Sequence, residues 1–331
     1  MGFDHVQSAH CENGVTSNLL RFHGLDISEA MVFGIGSGIF FSHVTFLKLN
    51  NLPITSYRIF PGLVFSRATR RLGVKMKIQR FRNADKSMAA LDKMLDKGLP
   101  VGLQTSVFYL PYLPKALRFH FNAHNIIVYG KSNGNYLISD PVMEHPTQIS
   151  YEDLKRARYA KGIAAPKGKM YYPTSVPKTV DLRKPIINGI KRAAFDMTKV
   201  PFPIIGTRGI RLLSRNLRKW PEKMGERRAG LSLGQVVRMQ EEIGTGGGGF
   251  RFIFGAFLQE AAPILEKDWL MDASREITIS GDRWRDFAVM AGRIFKKRES
   301  EDENYDALAD ILLECADRED EIFGKLRKIS L

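Results

Sequence analysis

The sequence predicts an α+β domain followed by a mainly α-helical domain. Three observations carry this. The chain has 331 residues, more than the roughly 250 at which a single core stops growing. Helix-like and strand-like patterns alternate up to about residue 165, and beyond Ile186 the apolar residues recur at helical spacing. The expected boundaries are a first domain at 1–165, a linker at 166–185 and a helical domain at 186–331.

Within the first domain, Val15, Leu19 and Phe22 set a helical stripe between Cys11 and His23, and Gly24 supplies its stop. Ala30 to Leu47 carries no formal charge for eighteen residues, near the lower limit for a membrane span. Gly34, Gly36 and Gly38 weaken a helix there, and Ser37, Ser42, His43 and Thr45 would lack partners in lipid. A buried glycine-rich loop leading into a core element is therefore expected. A helix follows at Ala84–Lys97, stopped by Gly98 and Pro100, and then a strand from Val101. FNAHNIIVYGKSNGNYLISDP, from Phe121, places two β-rich runs around a Lys-Ser-Asn-Gly-Asn turn and reads as a hairpin. Tyr151–Ala160 reads as a further helix, and four prolines between Ala165 and Pro185 mark the linker. The remaining helices are expected at 186–198, 206–219, 231–243, 250–265, 282–297 and 304–327.

Fifty Lys and Arg against thirty-five Asp and Glu leave +15, which favours an acidic partner: nucleic acid, anionic membrane or acidic protein. The two cysteines, Cys11 and Cys315, lie far apart in a chain without a secretory n-region, so no disulfide framework is expected and a reducing cytoplasm fits best. They cannot form a cysteine-rich zinc site, and the seven histidines lack HExxH spacing, so no metal and no bound cofactor are expected.

Cys11 falls at a predicted helix start, where the positive end of the macrodipole favours a thiolate. The alternative is a small buried hydrophobe. His124 opens one strand of the hairpin and Asp140 closes the other, the base and orienting group of a Cys-His-Asp triad. Their parity constrains the turn, since they share a face only with an odd-length loop or a bulge. A five-residue loop, Gly130 to Gly134, sets them opposite each other and a three-residue loop leaves them diagonal. A plain two-residue Asn133-Gly134 turn puts them on opposite faces.

HCENGVTSNLLRFHGLDISEAMVFGIGSGIFF, with its His10-Cys11 pair, His23-Gly24-Leu25, Ser28-Glu29-Ala30 and the Gly34–Gly38 run, followed by AHNIIVYG and SDP, resembles the N-terminal domain of the butirosin-biosynthesis protein H (BtrH) acyltransferase family. Glu241 to Leu265 (EEIGTGGGGFRFIFGAFLQEAAPIL) resembles the helical domain of unknown function that accompanies it. The resemblance implies a papain-like domain, similar to bacteriocin-leader peptidases, in which a helix-borne cysteine meets a histidine and an aspartate on adjacent strands. It implies acyl transfer through an acyl-cysteine. The donor would be an acyl carrier protein thioester carried on phosphopantetheine, and the acceptor an amine or hydroxyl of a small molecule or lipid whose identity the fold does not fix. A hydrolase of peptides or thioesters using the same triad, or a non-catalytic carrier-binding protein, are the alternatives. Papain-like enzymes usually place an oxyanion-stabilising glutamine about six residues before the cysteine. Here the nearest candidate is Gln7, four before, and the Cys11 N–H could supply a donor regardless.

Other candidates divide between chemistry and structure. Gly34–Gly38 lacks the Walker lysine and reads as a tight turn. Gly244–Gly249, beside Phe250 and Arg251, reads equally as an anion loop opening a helix or as a flexible connector; Arg251 is kept as a binding candidate. Glu29 is a site carboxylate or part of a helix cap, and His10 tunes the nucleophile or faces solvent. His23 and Cys315 read as structural. From Asp181 to Trp220, ten Lys and Arg stand against two Asp on helical spacing. In a carrier-dependent enzyme, Arg211, Arg215 and Arg218 then become a candidate docking face for the acidic carrier, with peripheral contact to anionic membrane as the second reading. Nucleic acid ranks last because no recognition motif accompanies the charge.

Overall fold

The computed structural model describes residues 2–49 and 51–331. In chain order its elements are α1 (Cys11–Phe22), α2 (Glu29–Ile35), β1 (Ile39–Leu49), β2 (Leu52–Arg58), α3 (Leu63–Arg71), β3 (Lys75–Gln79), α4 (Ala84–Leu95), β4 (Val101–Thr105), β5 (His124–Ser132), β6 (Asn135–Ser139), β7 (Thr147–Ile149), α5 (Tyr151–Arg158), β8 (Met170–Ser175), α6 (Arg183–Thr198), α7 (Gly206–Leu217), α8 (Trp220–Met224), α9 (Glu226–Glu241), α10 (Arg251–Leu265), α11 (Trp269–Phe295) and α12 (Tyr305–Leu326). They form two compact units. The first runs to Val32 and resumes at Phe65–Val180; the second comprises Phe33–Val64 and Asp181–Leu331.

In the first unit, six strands form a sheet in the order β3-β8-β4-β5-β6-β7, antiparallel throughout. Helix α1 starts after His10, which is extended at φ −126°, and ends where Gly24, at φ 87°, turns its N–H back to the Arg21 carbonyl. Val15 and Leu19 of α1 bury against Ile127, Tyr171 and Phe65 on one sheet face. The other face carries a larger core in which Leu91 of α4 and Leu154 of α5 meet Val101, Leu103, Ile126, Val128 and Ile138. Each such side chain contributes roughly 1.5–3 kcal/mol on burial. This two-sided burial is why the β4 and β5 sequences read as continuous apolar runs. Asn83 caps α4 by accepting from the Lys86 N–H at 2.9 Å, and Ser150 caps α5.

The β5–β6 turn corrects the expected five-residue or three-residue loop. Ser132 pairs with Asn135, so the turn has two residues, Asn133 and Gly134, both with positive φ (49° and 79°). Such a turn matches the twist of the two strands. The parity is restored by a bulge: the register shifts between Val128 and Gly130, so Val128 faces Ile138 while Gly130 faces Leu137.

The second unit joins the β1–β2 hairpin to α6–α12. Phe41 of β1 packs on Tyr57 of β2 and on Trp284 of α11, with ring centroids 5.4 and 5.8 Å apart, and the His43 N–H donates to the Ile204 carbonyl. The segment from Ala30 to Leu47 thus holds all of α2 but its first residue, a tight turn and most of strand β1. Gly34 and Gly38 are required there because Phe257 and Phe33 lie where their Cβ atoms would be, 2.0 and 2.2 Å away. Among the described residues no helix is long and apolar enough to cross a membrane.

These units revise the expected boundaries. Residues 33–64 pack with the helical region because β1 and β2 bury their aromatic residues on its helices. The expected linker contains β8, which pairs with β3 and β4 inside the sheet. Helix α11 starts at Trp269 instead of 282; Gly281 does not break it, since a Cβ there would meet Phe252 at 2.8 Å.

Candidate active site

The site lies in the first unit, at the start of α1 and the neighbouring ends of β5 and β6. Cys11 is the first residue of α1 and only 7% exposed. The His124 imidazole lies within hydrogen-bonding reach of its thiol, and His124 Nε2 is 2.7 Å from Asp140 Oδ2. Because Nε2 is engaged by Asp140, Nδ1 is the nitrogen left to serve the sulfur. With the bulge, Asp140 falls beside Ile126, so His124 is its diagonal neighbour on the same face.

The electrostatics favour a charged imidazole. Burial alone depresses His124, but the Asp140 carboxylate and then the Cys11 sulfur outweigh it, holding the imidazole well above its ordinary value of 6.5. A buried imidazolium between carboxylate and sulfur is half of a thiolate–imidazolium pair. Asp140 is fully buried. Its Oδ2 also accepts from the Tyr112 hydroxyl at 3.0 Å, and its Oδ1 lies 3.3 Å from the Val142 N–H.

Asn125 is a contributor that pattern reading did not find. Its amide Nδ2 donates to Cys11 Sγ at 3.9 Å and to the Ala123 carbonyl at 3.2 Å, and its Oδ1 accepts from the Tyr171 hydroxyl at 2.8 Å. Strand alternation puts Asn125 on the face opposite His124, the face on which α1 packs. That adjacency was its only signal. Tyr112, in a proline-rich stretch between β4 and β5, left none.

Glu29 clamps the backbone ahead of the cysteine. Its Oε2 accepts from Ala9 N–H at 2.9 Å and its Oε1 from His10 N–H at 2.7 Å, while burial pushes the carboxyl up. The capping role falls to Ser28, whose hydroxyl accepts from the Met31 N–H. His10 is buried and sits in the N-cap position of α1. Gly14 completes the frame. A Cβ there would lie 2.6 Å from Pro141 Cβ and from Ser8 Cβ, and the Ser8 N–H donates to the Pro141 carbonyl at 2.6 Å. Only glycine lets α1 approach the Asp140-Pro141 corner this closely.

The remaining candidates stand elsewhere. Gln7 is exposed. Arg251 is corrected: it is fully buried, bonded twice to Glu319 at 2.8 Å, and Glu319 also accepts from Ser280 and Trp284, so Arg251 is closed to any ligand. The Gly244–Gly249 segment is neither an open anion loop nor a flexible connector. Gly247, Gly248 and Gly249 are buried with positive φ, and Cβ atoms at Gly247 and Gly249 would meet Arg285 and Tyr57 at 2.4 Å. Arg211 is paired with Asp317 at 2.8 Å and Arg218 with Asp306 and Asp310, all on α12, while Arg215 is exposed.

A cysteine at the start of a helix packed on an antiparallel sheet, with histidine and aspartate on adjacent strands, defines a papain-like fold of the cysteine-enzyme class, here followed by a mainly helical region. The family model "Butirosin biosynthesis protein H, N-terminal" matches residues 10–141, and "Domain of unknown function (DUF4872)" matches residues 152–326. The chain belongs to the family that joins these two. The first model ends at Pro141, just after Asp140, while β8 and all of α5 but its first residue, which belong to the first unit, lie within the second. A solved structure described as a C39-like peptidase from Bacillus anthracis is similar over 53% of this chain and 95% of its own, at 15% identity and a TM-score of 0.36. None of the curated proteins compared matches the chain.

Proposed function

We propose that this protein is a cysteine acyltransferase, moving an acyl group from a carrier-protein thioester to an amine or hydroxyl through an acyl-Cys11 intermediate. The observation that carries the reading is the buried Cys11, His124 and Asp140 arrangement, in which His124 is held charged between carboxylate and sulfur. The family membership supports it, and Glu29, Gly14 and Tyr112 supply a rigid frame.

In the first half-reaction the Cys11 thiolate attacks the thioester carbonyl. The developing oxyanion forms at the positive end of α1, where helix amides stabilise negative charge. Collapse breaks the donor carbon–sulfur bond, and the departing thiolate, on its phosphopantetheine arm, takes the proton from His124. In the second half the neutral His124 removes a proton from the acceptor, whose nitrogen or oxygen attacks the acyl carbon. Cys11 leaves as the thiolate and the imidazolium is restored. Asp140 keeps Nε2 engaged and stabilises that charge in both halves.

The same first half-reaction serves a hydrolase, so the test is the fate of the acyl-enzyme. Protein incubated with hexanoyl-charged acyl carrier protein is freed of donor and then given water, an amine or an alcohol. The proposal expects an adduct that persists in buffer and is discharged by an amine or alcohol. Discharge by buffer alone makes the protein a thioesterase, and absence of any adduct makes it a carrier-binding protein.

A further inference from the structure

Part of the positive charge of the first unit is gathered in two adjoining grooves, of about 620 and about 400 Å³, that share Tyr159 as a wall. Their linings hold Lys155, Arg156 and Lys161 in one and Arg80, Arg82 and Lys167 in the other, against the single carboxylate of Glu152. Lys155 is tied to Asp85 at 2.6 Å, and Arg156 stands 3.9 Å from Asp153. Arg80, Arg82, Lys161 and Lys167 are exposed and make no ion pair among the described residues. In the Asp181–Trp220 stretch, four of the ten cations, Arg183, Arg192, Arg211 and Arg218, are each paired with an aspartate.

The groove walls are fixed. The Tyr159 hydroxyl lies 3.0 Å from the carbonyls of Phe81 and of Asn83, and the Phe81 N–H donates to the Lys167 carbonyl at 3.2 Å. Beneath them the buried Arg158 donates to the carbonyls of Ser87 and Gly168. The grooves are also joined to the site. Asn122 donates to the carbonyls of Lys161 at 3.1 Å and Ile163 at 2.9 Å, and Gln104 bridges the carbonyls of Asn122 and Ala164. Asn122 is two residues before His124, a span of about 7 Å in extended chain. Ile163, 76% exposed, adds an apolar contact on the same loop.

We propose that these grooves are the docking surface for the acidic acyl carrier protein that presents the thioester to Cys11. The inference rests on the acyl-transfer reading for its chemistry. Four unpaired cations around a polar and aromatic wall suit an acidic protein surface, attracting it at long range and leaving contacts weak enough to exchange. The Asn122 side of the grooves is the one continuous with His124, so the carrier's prosthetic arm would enter there.

The test uses the full chain carrying Arg80→Glu, Arg82→Glu, Lys161→Glu and Lys167→Glu together, and a milder set with glutamine at the same four positions. Affinity for apo acyl carrier protein is measured by titration at low and high salt. Turnover is measured with hexanoyl-charged carrier and with hexanoyl-N-acetylcysteamine. The proposal expects carrier binding that weakens with salt in the wild type, about tenfold or greater loss of carrier affinity and carrier-donor kcat/KM in the Glu set, a smaller loss in the Gln set, and small-donor turnover within about twofold. Arg211→Glu with Arg215→Glu should leave carrier affinity unchanged. Carrier affinity unaltered by the four reversals, or lost only with the Arg211 pair, overturns the docking surface. Wild-type binding to anionic vesicles or nucleic acid through these grooves, with none to carrier, does the same. If carrier binds through the grooves but neither donor is turned over, the acyl-transfer reading fails while the surface stands.

Discussion

His124 and Asp140 meet at 2.7 Å because the bulge between Val128 and Gly130 shifts β5 by one residue against β6. Without it the two-residue Asn133-Gly134 turn would send their side chains to opposite faces of the sheet. The same irregularity therefore sets the hydrogen bond on which the charge of the imidazole depends.

Asp140→Asn removes the carboxylate that holds the His124 proton. Because His124 is raised in the folded protein, its imidazolium persists above pH 6.5 and is lost as pH rises through the raised value. With Asp140 neutral, the alkaline limb of the kcat/KM profile should move to lower pH and the maximum should fall by roughly a hundredfold. Cys11→Ala and His124→Ala should each lose on the order of 10⁴-fold or more. A profile whose alkaline limb stays in place in Asp140→Asn would separate Asp140 from His124 ionisation.

Gly14→Ala tests the frame. The added methyl meets Pro141 and Ser8 at 2.6 Å, so α1 must shift, at about 1–3 kcal/mol in stability. The expected outcome is a lowered Tm together with a lowered kcat for a small thioester. Gly324→Ala is the control: nothing lies within 4 Å of its Cβ, and alanine in α12 should be neutral or stabilising by about 0.5–1 kcal/mol. Equal behaviour of the two variants would remove the close-approach argument.

Asn125→Ala removes the amide donor at 3.9 Å from Cys11 Sγ. Iodoacetamide labelling near neutral pH should slow by about tenfold or more in this variant, because a hydrogen bond to an ionised group contributes about 1.5–3 kcal/mol. In wild type, Cys11 should label far faster than Cys315, which is 1% exposed and whose thiol burial pushes up strongly. Comparable rates at the two cysteines in folded protein would contradict the assignment of the nucleophile.

Arg251→Met should cost about 3–5 kcal/mol in urea unfolding, since it leaves Glu319 buried without a partner. Arg211→Ala breaks only exposed pairs and should cost about 1 kcal/mol or less. Arg251→Met with full stability and a raised KM would return that arginine to the binding site.

The helices around Val15, Leu91 and Leu213 were legible because each buries a stripe that repeats at helical spacing, and Cys11, His124 and Asp140 were legible because their chemistry sits at element ends. The turn was misjudged because parity admits a bulge, and a bulge leaves no mark in residue type. The Gly244–Gly249 run reads as mobile by composition, yet Tyr57 and Arg285 fill the space its missing side chains leave. Arg251 and the arginines of α7 read as exposed charge because their partners Glu319, Asp317 and Asp306 lie on α12, tens of residues away. Tyr112 and Asn125 join the site through tertiary contacts that no periodicity encodes.

The central claim is that the acyl group passes through Cys11. Intact-protein mass spectrometry, followed by peptide mapping after brief exposure to hexanoyl-N-acetylcysteamine, measures this directly. The account predicts a single hexanoyl adduct on the peptide containing Cys11, absent in Cys11→Ala and formed far more slowly in His124→Ala. Turnover persisting in Cys11→Ala, or the adduct found on Cys315, would contradict it.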